Sequence, residues 1–156
     1  MKHRLILVII SIFLSACGSD FTVKNDPYRL NGSWVANCYQ DGQFFFNVRA
    51  FNFLGDSWSS TTDVYSDVNC SKAISINSTT RGKFNLGDSI ITESGVTAIE
   101  LNLNIQFLDG VDLGAEGSIK KFDLIKVENN QLYIGEYVSS FQRPTKLDFN
   151  TIYYRQ

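Results

Sequence analysis

With 156 residues, 14 basic and 16 acidic side chains and one histidine, the chain has room for one domain with its own core and carries a formal charge of −2. It has no Lys/Arg cluster, and this balance argues against nucleic acid as a partner. Metal ions and cofactors are not expected, because the ligand types are too few and too scattered.

The chain opens with Lys2, His3 and Arg4, followed by a nearly unbroken apolar run from Leu5 to Phe13. A helix needs about 20 apolar residues to span a bilayer. This run is too short for that and has the length of a signal-peptide apolar region. Leu14-Ser15-Ala16-Cys17 comes next and resembles the lipobox of bacterial lipoproteins. The resemblance implies cleavage before Cys17 and lipidation of its thiol, with residues 1–16 as the signal peptide. It also implies a membrane partner through the lipid anchor. Mature bacterial lipoproteins generally carry three acyl chains, whereas one chain holds only reversibly. Gly18 follows the cysteine; in the sorting rule of Gram-negative lipoproteins an Asp there retains the protein in the inner membrane. The outer membrane is therefore expected, with the domain on the periplasmic face.

Cleavage would leave 140 residues with 12 basic and 16 acidic side chains, about −4. His3 would leave as well, so Ser-His-Asp and Cys-His arrangements are impossible in the mature chain. Cys38 and Cys70 remain as an even pair in an exported protein, which predicts a disulfide. Closing a loop of about 30 residues would contribute on the order of 3–4 kcal/mol in the chain-entropy model.

Residues 17–29 read as the lipidated cysteine and a polar tether with Asn25-Asp26-Pro27, and residues 30–156 as the domain. Gly32–Tyr39 is the first predicted strand. Gln43–Leu54 is a long aromatic strand whose period slips near Ala50, suggesting a bulge. Trp58–Tyr65 follows, then three short strands over Lys72–Thr79, Gly82–Leu86 and Ser89–Thr92. Val96–Phe107 is the clearest segment. Ile99, Leu101, Leu103, Ile105 and Phe107 alternate with polar residues, so one face should be buried and the other wet. Leu108-Asp109-Gly110-Val111 and Asn129-Asn130 read as turns. Lys120–Val127, Gln131–Tyr137 and Leu147–Tyr154 complete the set, the last expected beside the first strand. Short strands with frequent turn signals predict an all-β fold, a single antiparallel barrel of about 8–10 strands.

Leu30-Asn31-Gly32-Ser33-Trp34 resembles the Gly-x-Trp opening of lipocalin-type barrels, where the Trp closes the base. The resemblance implies a late Arg stacked on that Trp; Arg143 and Arg155 both qualify. Gly32-Ser33-Trp34-Val35, Cys38, Tyr65-Ser66-Asp67, Cys70, Gly82, Phe84 and Gly87 are similar to the domain of the Wnt antagonists called adenomatosis polyposis coli down-regulated proteins. That likeness covers Leu30 to Gly87 and implies a lipocalin-like barrel with an apolar pocket able to take a lipid. Gln131–Gly135 and Arg143–Asp148 look instead like the tail of small uncharacterised bacterial lipoproteins.

No catalytic set stands out, and the chain is not expected to be an enzyme. Asp63 with Asp67, and Glu93 with Glu100, are loosely spaced carboxylates among solvated residues. Asp109, Asp112 and Glu116 lack the spacing of a calcium loop and read as a wet turn. What remains is 2 Trp, 7 Tyr and 12 Phe. A lumen lined by Phe44, Phe46, Trp58, Phe84, Ile99, Leu101, Leu103, Ile105 and Phe107 would hold a lipid or small apolar ligand. The alternative is a barrel filled by its own side chains, serving as an envelope structural or protein-interaction module. Tyr65 and Asp67 fit better as a corner supporting the disulfide than as a site.

Overall fold

A computed structural model describes residues 29–139 and 141–156. The predicted signal peptide over residues 1–16, Cys17 and residues 18–28 of the predicted tether lie outside the described residues. Ten strands are formed: β1 Gly32–Ala36, β2 Tyr39–Asp41, β3 Phe45–Leu54, β4 Ser57–Tyr65, β5 Ala73–Ile91, β6 Thr97–Leu108, β7 Val111–Asp112, β8 Ile119–Glu128, β9 Gln131–Gly135 and β10 Leu147–Arg155. All ladders are antiparallel, in the order β1-β10-β9-β8-β6-β5-β4-β3. β3 then pairs back onto β1, with Trp34 opposite Phe51. The sheet is thus an eight-stranded closed barrel of lipocalin-like form, which leaves no free edge around most of its circumference. β2 and β7 are short additions on β3 and β6.

Turn chemistry explains the hairpins. Asn129 and Asn130 both have positive φ, 51° and 60°, and join β8 to β9 as a two-residue turn of the hairpin-favouring hand. Asp109 and Gly110 do the same between β6 and β7. Cys38 and Cys70 are bonded, with their Cα atoms 5.8 Å apart, tying the β1–β2 link to the β4–β5 turn. Asp67 organises that turn: its carboxylate accepts from the Lys72 N–H at 2.6 Å and from the Ser71 N–H and hydroxyl.

Several strand boundaries differ from the sequence reading. The first predicted strand is two, because the chain bends after Ala36 to start β2. The three short strands between Lys72 and Thr92 are one 19-residue strand, β5, with register shifts at Arg81/Gly82 and Leu86/Ser89. The Arg81-Gly82 and Gly87-Asp88 signals mark irregularities inside a strand, not breaks between strands. β3 has no bulge at Ala50; its register with β4 is continuous from Phe46/Tyr65 to Leu54/Ser57. β9 stops at Gly135, two residues short of its predicted end.

One end of the barrel is sealed. Trp34 is fully buried, and its Nε1 donates to the Leu30 carbonyl at 2.7 Å. Arg155 stacks on the indole at 4.3 Å, and its guanidinium donates to the Asn31 carbonyl at 2.6 Å and to the Arg29 carbonyl. Of the two arginines that qualified, Arg155 is the one on Trp34. Gly32 has φ 122°, and a Cβ there would lie 3.2 Å from the Arg155 guanidinium, so glycine suits both the backbone and the stack. Above this plug pack Phe53, Phe84, Ile125, Leu132 and Tyr153, with Phe53 edge-on to Phe84 at 5.2 Å. A smaller cluster of Ala98, Leu124 and Leu147 sits on the opposite face of the wall.

Candidate functional site

The inward rows change character along the strands. On β3 the inward residues are Phe53, Phe51, Arg49 and Asn47, running from the sealed end upward, because alternate residues share a face. On β4 they are Trp58, Ser60 and Thr62, which face Gly82, Thr80 and Ser78 of β5. The apolar period on β3 slips at Ala50 because the lumen turns polar there, not because the strand bulges.

Above the plug the lumen opens into a cavity of about 620 Å³. Its β6 wall is apolar, made of Leu101, Leu103 and Ile105. The β3–β5 wall is largely polar, with Arg49, Ser60, Thr62, Ser78 and Thr80 around the rings of Phe51 and Trp58. Lys121 and Asp123 of β8, Tyr153 of β10 and Tyr39 of β2 complete the ring. The ladder between β8 and β9 ends at Ile125/Ile134, so upper β8 has no β9 strand beside it. The β9–β10 connection fills that place, and its residues Glu136, Tyr137 and Pro144 line the cavity.

Arg49 donates to the Thr62 hydroxyl at 3.0 Å, and its charge acts on the Tyr153 phenol. Burial pushes the Tyr153 phenol above its ordinary range, with Arg49 opposing the shift. Burial likewise raises Tyr39, again against Arg49, while the nearby Asp41 carboxylate reinforces it. Asp123 is only 4% exposed. Burial raises its pKa, although Lys121 at 3.4 Å and the backbone N–H groups of Leu124 and Gly135 favour its charged form.

Arg143 anchors the β9–β10 connection on the other face of the wall. It donates to the Asp123 carbonyl and the Asn102 side chain, each at 2.6 Å, and pairs with Glu100 at 3.2 Å. Pro144 packs against Gly135 beside the Asp123 carboxylate. Tyr137, in the same connection, is 93% exposed at the cavity edge.

Of the residues expected to line a lumen, Trp58, Leu101, Leu103 and Ile105 surround the cavity. Phe84 and Ile99 belong to the packed core. Phe44 is 71% exposed on the β2–β3 turn, and Phe46 falls on the outward row of β3, opposite in parity to Arg49. Phe107 is a further correction. β6 carries an extra residue at Gln106, so Arg81 faces Phe107 while Gly82 faces Ile105. That bulge turns Phe107 outward, where Arg81 stacks on it at 4.1 Å. Gly82 is required at this point, since a Cβ would come within 1.9 Å of the Asn104 carbonyl oxygen.

Sequence reading missed Tyr39, Arg49, Lys121, Asp123 and Tyr153. The usable signal was parity: Asn47, Arg49, Phe51 and Phe53 form one alternating row. Of the other acids, Asp109 accepts from Ser78 and Thr79, and Asp112 accepts from the Gly114 N–H, so both serve as turn acceptors. No known family model matches the chain, and neither does any curated protein.

Proposed function

We propose that the chain is a non-catalytic lipoprotein of the bacterial envelope, anchored through Cys17, whose barrel binds a small amphiphile. The observation that carries this reading is the cavity of about 620 Å³, with an apolar wall on β6 and a hydroxyl-lined wall on β4 and β5. Ligand sites are typically concave, largely apolar and furnished with a few polar groups. A purely apolar lipid fits this lumen less well than a molecule with one polar part. The filled-barrel alternative accounts for the sealed end only.

The chain enters at the sealed end, where Arg29 and Leu30 meet Arg155 and Trp34. Eleven residues separate Cys17 from Arg29, and that stretch reaches at most about 40 Å when extended. A barrel held that way turns its open mouth away from the anchoring membrane. On the outer membrane, the location favoured by Gly18, that would point the mouth into the periplasm. The Gly32-x-Trp34 opening and the disulfide also fit the likeness to the down-regulated Wnt-antagonist domain, whose pocket takes lipid.

Every barrel ladder lies within Gly32–Arg155, so a chain starting at residue 18 carries the whole fold. Native mass spectrometry of that chain, purified from bacteria without detergent, is expected to show a bound species of lipid-like mass. A bare protein that also fails to bind added short-chain amphiphiles contradicts the reading. The anchor is tested separately: Cys17→Ser should abolish incorporation of labelled fatty acid, and retained label rejects the assignment.

A further inference from the structure

Trp58 lies where the two walls of the cavity meet. It is 5% exposed, and its Nε1 has no hydrogen-bond partner among the described residues. An indole N–H is a donor only, and a buried donor without an acceptor is a standing penalty. The register shows what lies beside it. Trp58 faces Gly82, which has no side chain, and Gly82 in turn faces Ile105 of the apolar wall. One rung nearer the mouth, Ser60 faces Thr80, and both line the cavity. Donor and hydroxyls therefore lie on neighbouring rungs beside the apolar wall.

Resting on the reading that the lumen binds an amphiphile, we propose that the ligand joins its apolar chain to its head through an uncharged acceptor, an ester or amide carbonyl. Trp58 Nε1–H donates to that carbonyl, Ser60 and Thr80 flank it, and the chain lies along Leu103 and Ile105. Charge sets this class apart from a free carboxylate. Asp41, Asp123, Asp148 and Glu136 line the cavity against only Arg49 and Lys121, and Lys121 is already beside Asp123. A further anion would enter a lumen with an excess of negative charge. A quaternary ammonium head suits the acidic mouth but offers Trp58 no acceptor.

Calorimetric titration of the chain from residue 18 with monooctanoylglycerol, octanoate and octyltrimethylammonium tests the proposal. Monooctanoylglycerol is expected to bind about tenfold more tightly than either other probe, the size of one well-made hydrogen bond. Trp58→Phe keeps a ring but removes the N–H; it should weaken monooctanoylglycerol by about five- to tenfold and leave octyltrimethylammonium unchanged. Octanoate or octyltrimethylammonium binding as tightly as the ester overturns the proposal, as does a Trp58→Phe chain that binds the ester undiminished. The ranking of probes on the unaltered chain decides the matter even if the variant fails to fold. Binding by none of the three overturns the amphiphile reading itself, and this proposal with it.

Discussion

The sealed and open ends of this barrel are built from the same strands yet do opposite things. At the sealed end β1, β3 and β9 send Trp34, Phe53 and Leu132 inward, and these fill the lumen. A few residues along, the same β3 sends Arg49 inward and β4 sends Ser60 and Thr62, leaving a cavity of about 620 Å³. Strand pairing cannot account for the difference, since the β3–β4 register runs through both ends without a break. The chemistry of the inward row accounts for it. Apolar side chains gain by excluding water from one another, whereas hydroxyls and a guanidinium keep their hydrogen-bonding capacity only if water or a ligand remains.

The same substitution should behave differently at the two ends. Leu132→Asp places an unpaired charge in the dry plug, where Leu132 is fully buried, and should abolish cooperative folding. Leu103→Asp should cost much less, roughly 1–3 kcal/mol, because position 103 borders the cavity and faces Lys121. Urea melts of the two variants make the test, and equal losses would mean that the open end is as dry as the plug.

Trp34→Ala comes next. It empties the base of the barrel and leaves the Leu30 carbonyl and the Arg155 guanidinium without their partner, at an expected loss of about 3–5 kcal/mol. A loss below about 1 kcal/mol in the same melts would mean that the plug does not hold the barrel closed.

The smallest effect is a pH dependence at the open end. Burial raises the Asp123 pKa, so the folded chain holds this proton to higher pH than the unfolded chain does. The group's contribution is therefore greatest below the ordinary carboxylate range and is lost as pH rises through the raised value. Asp123→Asn keeps an oxygen for the Leu124 and Gly135 N–H groups and removes the titration. It should be more stable than the parent near neutrality by on the order of 1 kcal/mol, an advantage that vanishes in acid. Thermal melts across that range check the sign, and a variant less stable at neutral pH would show that the Lys121 pairing outweighs burial.

Local signals carried much of the fold. The alternation from Ile99 to Ile105, the Asn129-Asn130 turn and the cysteine pair each have a short-range cause, and each appears as read. The site was less legible, because it depends on parity across strands. A single extra residue at Gln106 reverses Phe107. Phe44 sits on a turn, and Phe46 takes the outward row, so aromatic density around them pointed to the wrong face. Arg49 looked like an interruption of an aromatic strand, although it shares the inward row with Phe51 and Phe53. No local pattern ties Asp123 to Gly135, since their contact follows from where β9 ends.

The two indoles report separately on the two ends, one hydrogen-bonded in the plug and the other, at the cavity wall, without a partner among the described residues. Two-dimensional ¹H–¹⁵N spectra of the chain from residue 18, titrated with monooctanoylglycerol, read both indole N–H signals at once. The account predicts a saturable shift of the Trp58 signal while the Trp34 signal stays in place. Movement of Trp34 alone, or of neither, would contradict it.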